Sequence, residues 1–325
     1  MKPGVGSRSL FTSDEKKSII GLGGILFFRM YGLFLVLPVF SALAMELEQA
    51  SPLLVGIAFG AYGVTQGLLQ VPYGMLSDRI GRKPVIMGGL LIFVMGSVMA
   101  AVTDSVYWMI AARFLQGAGA VSSAIFALIA DLTRPEVRTR ANAFLGGSIG
   151  ISFGIAILSA PFLSQAYGLE GLFWLISAIT MLSMGILLKG IPEGQYAKKL
   201  VEPETATKML HTVLSLQPLR TINLGGFICG TGLSMVFFLV PLMALKHGII
   251  QAELWKVYLP MLLLGGVAMV PAAIIAESRN RFREVMLTGI LLLLGSGILL
   301  GIGWKNDSLN WFLPGVFLFF MGFNV

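Results

Sequence analysis

The chain has 325 residues, of which 56% are hydrophobic and 12% are charged. Soluble domains carry about 25% charged residues, so this composition excludes a soluble protein. One cysteine and two histidines exclude an internal disulfide framework and a four-cysteine zinc site, and we expect neither a metal nor a cofactor. The net charge of +7 would favour nucleic-acid binding in a soluble protein, so its distribution along the chain decides its meaning.

Apolar segments that are long enough to cross a bilayer recur along the whole chain. A crossing helix needs about 20 apolar residues, and the sequence predicts nine complete spans and a tenth that begins near Leu309. The complete spans cover 19–43, 53–76, 85–102, 106–130, 141–164, 171–188, 221–245, 257–276 and 285–304. Transmembrane strands are disfavoured, because they are segments of about ten residues with alternating hydrophobicity. The tenth span reaches Val325 without a stop signal, which indicates a truncated chain.

The basic residues indicate how these spans are oriented. With the amino terminus on the cytoplasmic side, only Lys246, Lys256 and Lys305 of the 23 lysines and arginines fall in outer loops. Arg29 and Arg113 fall within spans, and all the others fall in inner loops, as the positive-inside rule requires. All five tryptophans lie at the outer ends of predicted helices, where the ring suits the headgroup layer. Membrane orientation therefore explains the positive charge, and a nucleic-acid partner is not expected.

A long polar stretch divides the spans into a group of six and a group of four. The sequence predicts a cytoplasmic amino terminus (1–18), a bundle of six helices (19–188), a cytoplasmic linker (189–220) and a partial second bundle (221–325). A second half equivalent to the first would need six spans. We therefore expect an all-α membrane protein with two six-helix bundles, of which the second is truncated.

Two short loops carry an acid four residues before an arginine. The first, between spans two and three, reads GMLSDRIGRKP (74–84), and the second, between spans eight and nine, reads AESRNRFR (276–283). Such a repeat at equivalent places is typical of transporters built from structural repeats. We expect Gly81 to adopt an unusual backbone angle and Asp78 to bind the amino end of a neighbouring helix, while a plain basic loop is the alternative. The candidate residues for gating and charge relay are Gly74, Asp78, Arg79, Gly81, Arg82, Lys83, Asp131, Glu277 and Arg281.

Two arginines lie within predicted spans, where a charge is costly. An arginine at bilayer depth costs about 2.5–3.5 kcal/mol on insertion scales, so we expect Arg29 and Arg113 to face a cavity or a partner. Gln116 lies three residues after Arg113 on the same helical face. These three residues are candidates for proton coupling or for the cavity. For Arg113 the alternative is a side chain that extends outward to the membrane surface.

Two helical faces are marked by their side chains. In span two, spacings of 4, 4 and 3 place a polar and aromatic stripe on one face, made of Tyr62, Gln66, Gln70 and Tyr73. The stripe is a candidate cavity wall, and hydrogen bonding between helices is the alternative, with equal weight. In span five, glycines recur at every fourth residue and predict a close-packing face, made of Gly146, Gly150 and Gly154.

The acids lie in loops or at helix ends, and neither histidine lies within a span. The visible sequence therefore offers no intramembrane acid for a proton relay. A proton site within it would need Asp78, Asp131 or an outer-end acid such as Glu46.

The loop 74–84 resembles motif A of the major facilitator superfamily, and RFLQGAG (113–119) resembles the motif of that family's fourth span. Residues 150–161 resemble its antiporter motif loosely, because Ala160 takes the place of the usual glycine. The resemblance implies twelve helices in two six-helix bundles, a central cavity and alternating access. It implies that Asp78 pairs with the start of an eleventh span, with Arg82 and Asp131 in the same charge relay, and that Arg113 takes part in proton transfer.

The resemblance further implies proton-coupled efflux of small, often hydrophobic compounds. We therefore expect a multi-pass secondary transporter of the bacterial inner (cytoplasmic) membrane, with a cytoplasmic amino terminus, a small-molecule substrate and protons as the coupling ion. We expect it to act as a monomer. A uniporter is one alternative, and a non-transporting sensor or an inactive truncated remnant is another. An enzyme is not expected, because no nucleophile and base, metal cluster or phosphate loop accompanies the spans.

Overall fold

The computed structural model describes residues 11–119, 121–192 and 215–325. Within these residues every regular element is helical, apart from one isolated bridge between Glu48 and Ser105. The α-helices are α1 (Ser13–Val36), α2 (Phe40–Leu43), α3 (Pro52–Ile80), α4 (Arg82–Ala101), α5 (Val106–Ala118), α6 (Ser122–Leu132), α7 (Pro135–Gly190), α8 (Gln217–Lys246), α9 (Trp255–Ser278), α10 (Phe282–Lys305) and α11 (Leu309–Asn324). The predicted all-α fold is confirmed.

Eight helical segments of the described chain are long and apolar enough to cross a membrane, if α5 and α6 are taken as one segment. One of the eight, α7, has 56 residues, which at about 1.5 Å per residue greatly exceeds a bilayer of about 30 Å. Its backbone leaves the helical region at Gly168, with φ 65° and ψ −170°. That break falls between the predicted spans 141–164 and 171–188. The ten predicted spans are therefore present, the tenth as α11 with 16 residues.

Two predicted spans are interrupted. The span predicted at 19–43 ends as a continuous helix at Val36, and α2 begins only at Phe40, because Pro38 lacks an N–H and disfavours the helical conformation of the residue before it. The span predicted at 106–130 consists of α5 and α6, and α5 ends before Gly119. Helix breaks release carbonyl and N–H groups that need partners, and the partner at Gly119 proves to be Arg29.

The described residues divide into two compact units. The first comprises those within Met1–Phe34, Leu47–Ile155 and Leu169–Gln217, and the second comprises Leu35–Glu46, Ala156–Gly168 and Pro218–Val325. The units differ from the predicted regions 19–188 and 221–325. Residues 35–46 and 156–168, which fall in the first predicted region, belong to the second unit. Residues 1–10 of the predicted terminus and 193–214 of the predicted linker lie outside the described residues.

The core of the first unit is a cluster of buried aliphatic side chains from α1, α4, α6 and α7. Its members include Leu22, Ile25, Leu90, Ile125, Leu128, Leu145 and Leu187. In lipid the surroundings are as apolar as these side chains, so dispersion contacts between well-packed helices stabilise the bundle more than removal of water does.

In the second unit the short segment around Pro38 packs on α8 and α9. The buried hydroxyl of Tyr258 donates to the Pro38 carbonyl oxygen at 2.8 Å, and Ser41 Oγ donates to the Phe238 carbonyl oxygen at 2.7 Å. In the segment Ala156–Gly168, which also belongs to the second unit, Ser164 Oγ accepts from Gln251 Nε2 at 2.7 Å. The bond from Tyr258 satisfies a carbonyl group that the break after α1 leaves without a helical partner.

The glycine face predicted in span five is wrong. A methyl group added at Gly146, Gly150 or Gly154 would meet nothing within 4 Å among the described residues. The close approaches of helices lie elsewhere in the first unit: a Cβ at Gly117 would lie 2.3 Å from the Tyr62 carbonyl oxygen, and a Cβ at Gly96 would lie 2.6 Å from the Gln116 nitrogen. Spacing alone could not separate the two cases, because glycines at every fourth residue also suit a helix that faces open space.

Candidate functional site

Arg82, the first residue of α4, links three helices. Its Nη2 is 2.5 Å from Asp78 Oδ1 at the end of α3, and its Nε is 3.0 Å from Asp131 Oδ2 at the end of α6. Its Nη1 also donates to Ser77 Oγ at 2.6 Å. The planar guanidinium presents five N–H donors in a fixed arrangement, whereas a lysine has three donors on a single nitrogen. Because Arg82 and Asp131 are only 18% and 22% exposed, their pair is more shielded than a surface salt bridge.

The backbone of the same loop depends on Gly81. Its φ of 103° and ψ of 152° connect α3 to α4 through a single residue, a conformation that is strained for a residue with a Cβ. Lys83 Nζ donates to the Ile191 carbonyl oxygen at 2.7 Å, just after the end of α7. Arg79 is exposed and forms no ion pair within the described residues. Gly74 is less constrained, since an added Cβ would lie 3.6 Å from Ser123, an ordinary contact.

The corresponding loop of the second unit, three residues long instead of one, also contains a residue with positive φ but lacks the ion pair. Asn280 has a positive φ of 51°, at the position equivalent to Gly81, and asparagine tolerates this conformation better than most residues. Glu277 and Arg281 occupy the places of Asp78 and Arg82, yet both are exposed and neither forms an ion pair with another described residue. The two loops therefore share a residue with positive φ at the equivalent position, but they do not share the ion pair.

Arg29 of α1 is fully buried at the break between α5 and α6. Its Nη2 donates to the Gly119 carbonyl oxygen at 3.0 Å, and its Nη1 donates to Ser122 Oγ at 3.4 Å, in the first turn of α6. A cation at the carboxyl end of a helix is favourable, because the last carbonyl groups carry partial negative charge. No described carboxylate forms an ion pair with Arg29, and its Nε has no hydrogen-bond partner in the described chain.

Arg113 of α5 is also buried, with 2% of its surface exposed. Its Nη1 donates to Gln116 Oε1 at 2.7 Å, and Gln116 Nε2 in turn donates to Ser97 Oγ at 2.8 Å. The guanidinium lies over the ring of Tyr62, with Cζ 4.8 Å from the centroid. The side chain thus points into the first unit, which argues against the alternative that it extends to the membrane surface.

Tyr62 joins the two arginines into one cluster. Its ring faces Arg113, and its hydroxyl accepts from Arg29 Nη2 at 3.4 Å. Phe93 packs edge-on against the same ring and also lies 5.6 Å from Arg29 Cζ. Aromatic faces and neutral oxygens can hold a buried guanidinium, so this cluster keeps two positive charges inside the bundle.

The rest of the predicted stripe in α3 is divided between different surroundings. Tyr62 faces the arginines, whereas Tyr73 packs partly buried against the aliphatic core. Gln66 is partly exposed, and Gln70 has a buried Oε1 without a hydrogen-bond partner in the described residues. The Gln70 carbonyl oxygen accepts from Ser123 Oγ at 2.8 Å, as expected for the alternative of hydrogen bonding between helices.

Several residues of the site carry no strong signal in the sequence. Ser77, Ser97 and Ser122 supply hydroxyl groups to Arg82, Gln116 and Arg29 respectively. Serine is common in membrane helices because it can bond to its own backbone, so its presence in a span does not predict such a contact. For Ser122, a signal could have been the glycine-rich end of span four, where a helix break would require a partner.

The second unit contains an apolar cavity of about 810 Å³ between α8 and α10. Its lining includes Cys229, Met235, Leu293, Ser296 and Trp304. None of the candidate residues lines it. In the described part of the chain, no group of three or more His, Cys, Asp or Glu side chains lies close enough to hold a metal ion.

Comparisons with known proteins agree with this helical architecture. The Major Facilitator Superfamily profile matches residues 22–325. The chain is 38% identical over 315 residues to the inner membrane transport protein YajR of Escherichia coli (strain K12), covering 97% of this chain and 69% of YajR. It is 26% identical over 277 residues to the multidrug resistance protein MdtL of Shigella dysenteriae, covering 83% and 68% of the two chains.

A solved structure has the same fold. The xylose transporter XylE from E. coli, in a partially occluded inward open conformation, matches with a TM-score of 0.66 at 13% identity, over 96% of this chain and 84% of XylE. At this identity the likeness concerns the fold alone. Together with the family profile and the relationship to YajR, it leads to one conclusion: the chain belongs to the Major Facilitator Superfamily of membrane transporters.

Proposed function

We propose that this protein is a proton-coupled secondary transporter that exports small, often hydrophobic compounds by alternating access. The observation that carries the proposal is the pairing of Arg82 with both Asp78 and Asp131 at the loop between α3 and α4. One guanidinium shared by two acids can exchange one partner for another at little cost, because the charge stays compensated throughout. Asp78 is the more exposed acid, so it is the partner that can leave Arg82 when the transporter changes conformation.

The arginine cluster supports the coupling role that we propose for Arg29, Arg113 and Gln116. Two buried positive charges contact the same tyrosine, Arg113 at the ring face of Tyr62 and Arg29 at its hydroxyl group. Charges inside a membrane bundle are expensive and mark ion or substrate pathways. A proton or an anionic group that enters this region would interact strongly with both guanidinium groups.

The proposed direction of transport and the proposed membrane rest on other evidence. The export of drug-like compounds is suggested by the relationship to MdtL, which is named as a multidrug resistance protein. A bacterial inner membrane is suggested by the relationship to YajR. The distribution of the basic residues supports a cytoplasmic amino terminus and a cytoplasmic loop 74–84. We further propose that the functional unit is a monomer.

The test is transport in vesicles by the protein from the complete coding sequence. Pyranine trapped inside the vesicles reports proton movement when ethidium, tetraphenylphosphonium or chloramphenicol is added across an imposed pH gradient. We expect at least one of these probes to move protons in the wild type. Asp78→Asn should abolish this response while the protein still inserts, because a neutral amide cannot replace the charged partner that Arg82 releases and regains in the proposed conformational change.

Asp14→Asn is the matched control, because Asp14 is an exposed acid that forms no ion pair with the residues that the structure describes. It should transport like the wild type. Full proton-coupled transport by Asp78→Asn would refute the gating role. Probe movement that ignores the pH gradient would favour a uniporter, and no movement of any probe would contradict the proposed substrate class.

A further inference from the structure

His247 follows directly after α8 and contacts the turn that connects α10 to α11. Its Nδ1 lies 3.0 Å from the carbonyl oxygen of Met243, one helical turn earlier, and its Nε2 lies 2.9 Å from the carbonyl oxygen of Asp307. These residues all belong to the second compact unit. One imidazole ring therefore bridges two segments that are 60 residues apart in the chain.

Both partners of the ring are carbonyl oxygens, which accept hydrogen bonds and cannot donate them. A neutral imidazole carries one N–H group, so it can donate to Met243 or to Asp307 but not to both. The imidazolium carries two N–H groups and can donate to both. The neutral ring would leave a nitrogen lone pair directed at a carbonyl oxygen, which is repulsive. The geometry therefore matches the protonated ring.

Two charged groups among the described residues act on this ring. The Asp307 carboxylate, with Oδ1 3.8 Å from Nε2, favours the charged form, whereas Lys246, from the end of α8, opposes it. Lys246 Nζ is itself 2.6 Å from Asp307 Oδ2, which offsets part of its repulsion. The pKa of His247 is raised above its ordinary value, chiefly by the hydrogen bonds to the Met243 and Asp307 carbonyl oxygens and further by the Asp307 carboxylate.

The acceptor turn holds its shape through its own hydrogen bonds. The Ser308 N–H donates to the Gly303 carbonyl oxygen, and the Asn306 N–H donates to the Ile302 carbonyl oxygen, both at 2.9 Å. Asp307 has a φ of 51°, which presents its carbonyl oxygen to the ring. The His247 side chain is 25% exposed, so it can exchange protons with the solvent.

We propose that His247 is a proton-binding site that fastens the end of α8 to the turn between α10 and α11 when its ring is protonated. A raised pKa means that this contribution to stability is complete below the ordinary value of about 6.5 and is lost as the pH rises through the higher folded-state value. Under the orientation proposed above, the site faces the outer solvent. Only the side of the membrane that the site faces rests on the proposed function, since proton binding by His247 does not require transport.

The first test is an NMR titration of full-length protein labelled with ¹⁵N-histidine in lipid nanodiscs, between about pH 5 and about pH 9. The His247→Gln spectrum identifies the signals of His247. We expect both ring nitrogens to remain protonated at the pH where an ordinary histidine is half protonated. Asp307→Asn should lower the midpoint, whereas Lys305→Gln should leave it unchanged, because Lys305 is exposed and does not act on the ring. A midpoint at or below about 6.5 in the wild type would overturn the proposal.

The second test asks whether the proton fastens the two segments. Amide hydrogen exchange of residues 303–308 is measured at about pH 6 and about pH 8 and corrected for the intrinsic rate, and protection should be severalfold greater at the lower pH. His247→Phe and His247→Gln do not titrate, so each should give protection that is independent of pH. His247→Gln keeps a hydrogen-bond donor, so it controls for misfolding caused by loss of the polar side chain. A pH dependence that persists in either variant would contradict the proposal.

Discussion

The guanidinium of Arg113 lies over the face of Tyr62, with its Cζ 4.8 Å from the ring centroid. The hydroxyl group of the same tyrosine accepts from Arg29 at 3.4 Å, so one side chain of α3 contacts two buried positive charges. A cation over an aromatic face contributes about 2 kcal/mol when both are shielded from water. Tyr62 therefore stabilises charges that would otherwise be costly inside the bundle.

Replacement of Tyr62 should separate its two roles. Tyr62→Phe keeps the aromatic face and loses the hydroxyl, so we expect a loss of about 1 kcal/mol in the free energy of unfolding. Tyr62→Leu also loses the cation–π contact and should cost about 2 kcal/mol more. Thermal unfolding in detergent measures both. Tyr107→Phe, at an exposed tyrosine, should leave the unfolding temperature unchanged, and equal effects of Tyr62→Phe and Tyr62→Leu would contradict the role of the ring.

Gly117 should not tolerate a side chain. A Cβ there would lie 2.3 Å from the Tyr62 carbonyl oxygen and 2.9 Å from Thr65 Cβ, so Gly117→Ala must force α5 away from α3. Overpacking of this kind costs about 1–3 kcal/mol. The matched variant is Gly146→Ala, where the added methyl group meets open space and should stabilise the helix by about 0.5–1 kcal/mol. Opposite shifts in unfolding temperature are expected, and a neutral Gly117→Ala would show that the two helices are not in close contact.

Glu15 connects the start of α1 to the residue before α7. Its buried carboxylate accepts from Arg134 Nε at 2.8 Å, from Arg134 Nη2 at 3.0 Å and from the Thr12 N–H at 2.8 Å. Glu15→Gln removes the charge from this arrangement. Because Arg134 is half exposed and can be solvated again, we expect a moderate loss of about 1–2 kcal/mol. Chemical unfolding measures it, Asp14→Asn is the adjacent control, and equal stability of the two variants would argue against this ion pair.

Tyr258 should be important for the packing of the segment around Pro38. Its buried hydroxyl donates to the Pro38 carbonyl oxygen at 2.8 Å, and Tyr258→Phe would leave that carbonyl group without this donor. A buried acceptor that loses its partner costs about 1–3 kcal/mol. Faster amide exchange in residues 39–46 of the variant would be the expected result. Unchanged exchange there would mean that water or another group replaces the hydroxyl.

Much of the membrane architecture follows from local composition. An apolar segment of about 20 residues has one stable solution in a bilayer, because a helix satisfies all its backbone groups internally. The spans predicted from hydropathy therefore correspond to the observed helices, including the pair on either side of Gly168. The turn at Gly81 could also be anticipated, because its positive φ favours glycine.

The partners of the charged side chains could not be anticipated in the same way. Arg29 contacts Gly119 and Ser122, about 90 residues away along the chain. The face of Tyr62 meets Arg113 where Gly117 allows α3 and α5 to approach closely. His247 required the Asp307 turn to supply its second acceptor. Hydropathy and spacing describe one segment at a time and so determine which helices form. The pairing of charges depends on how several helices pack, and only the tertiary structure specifies that.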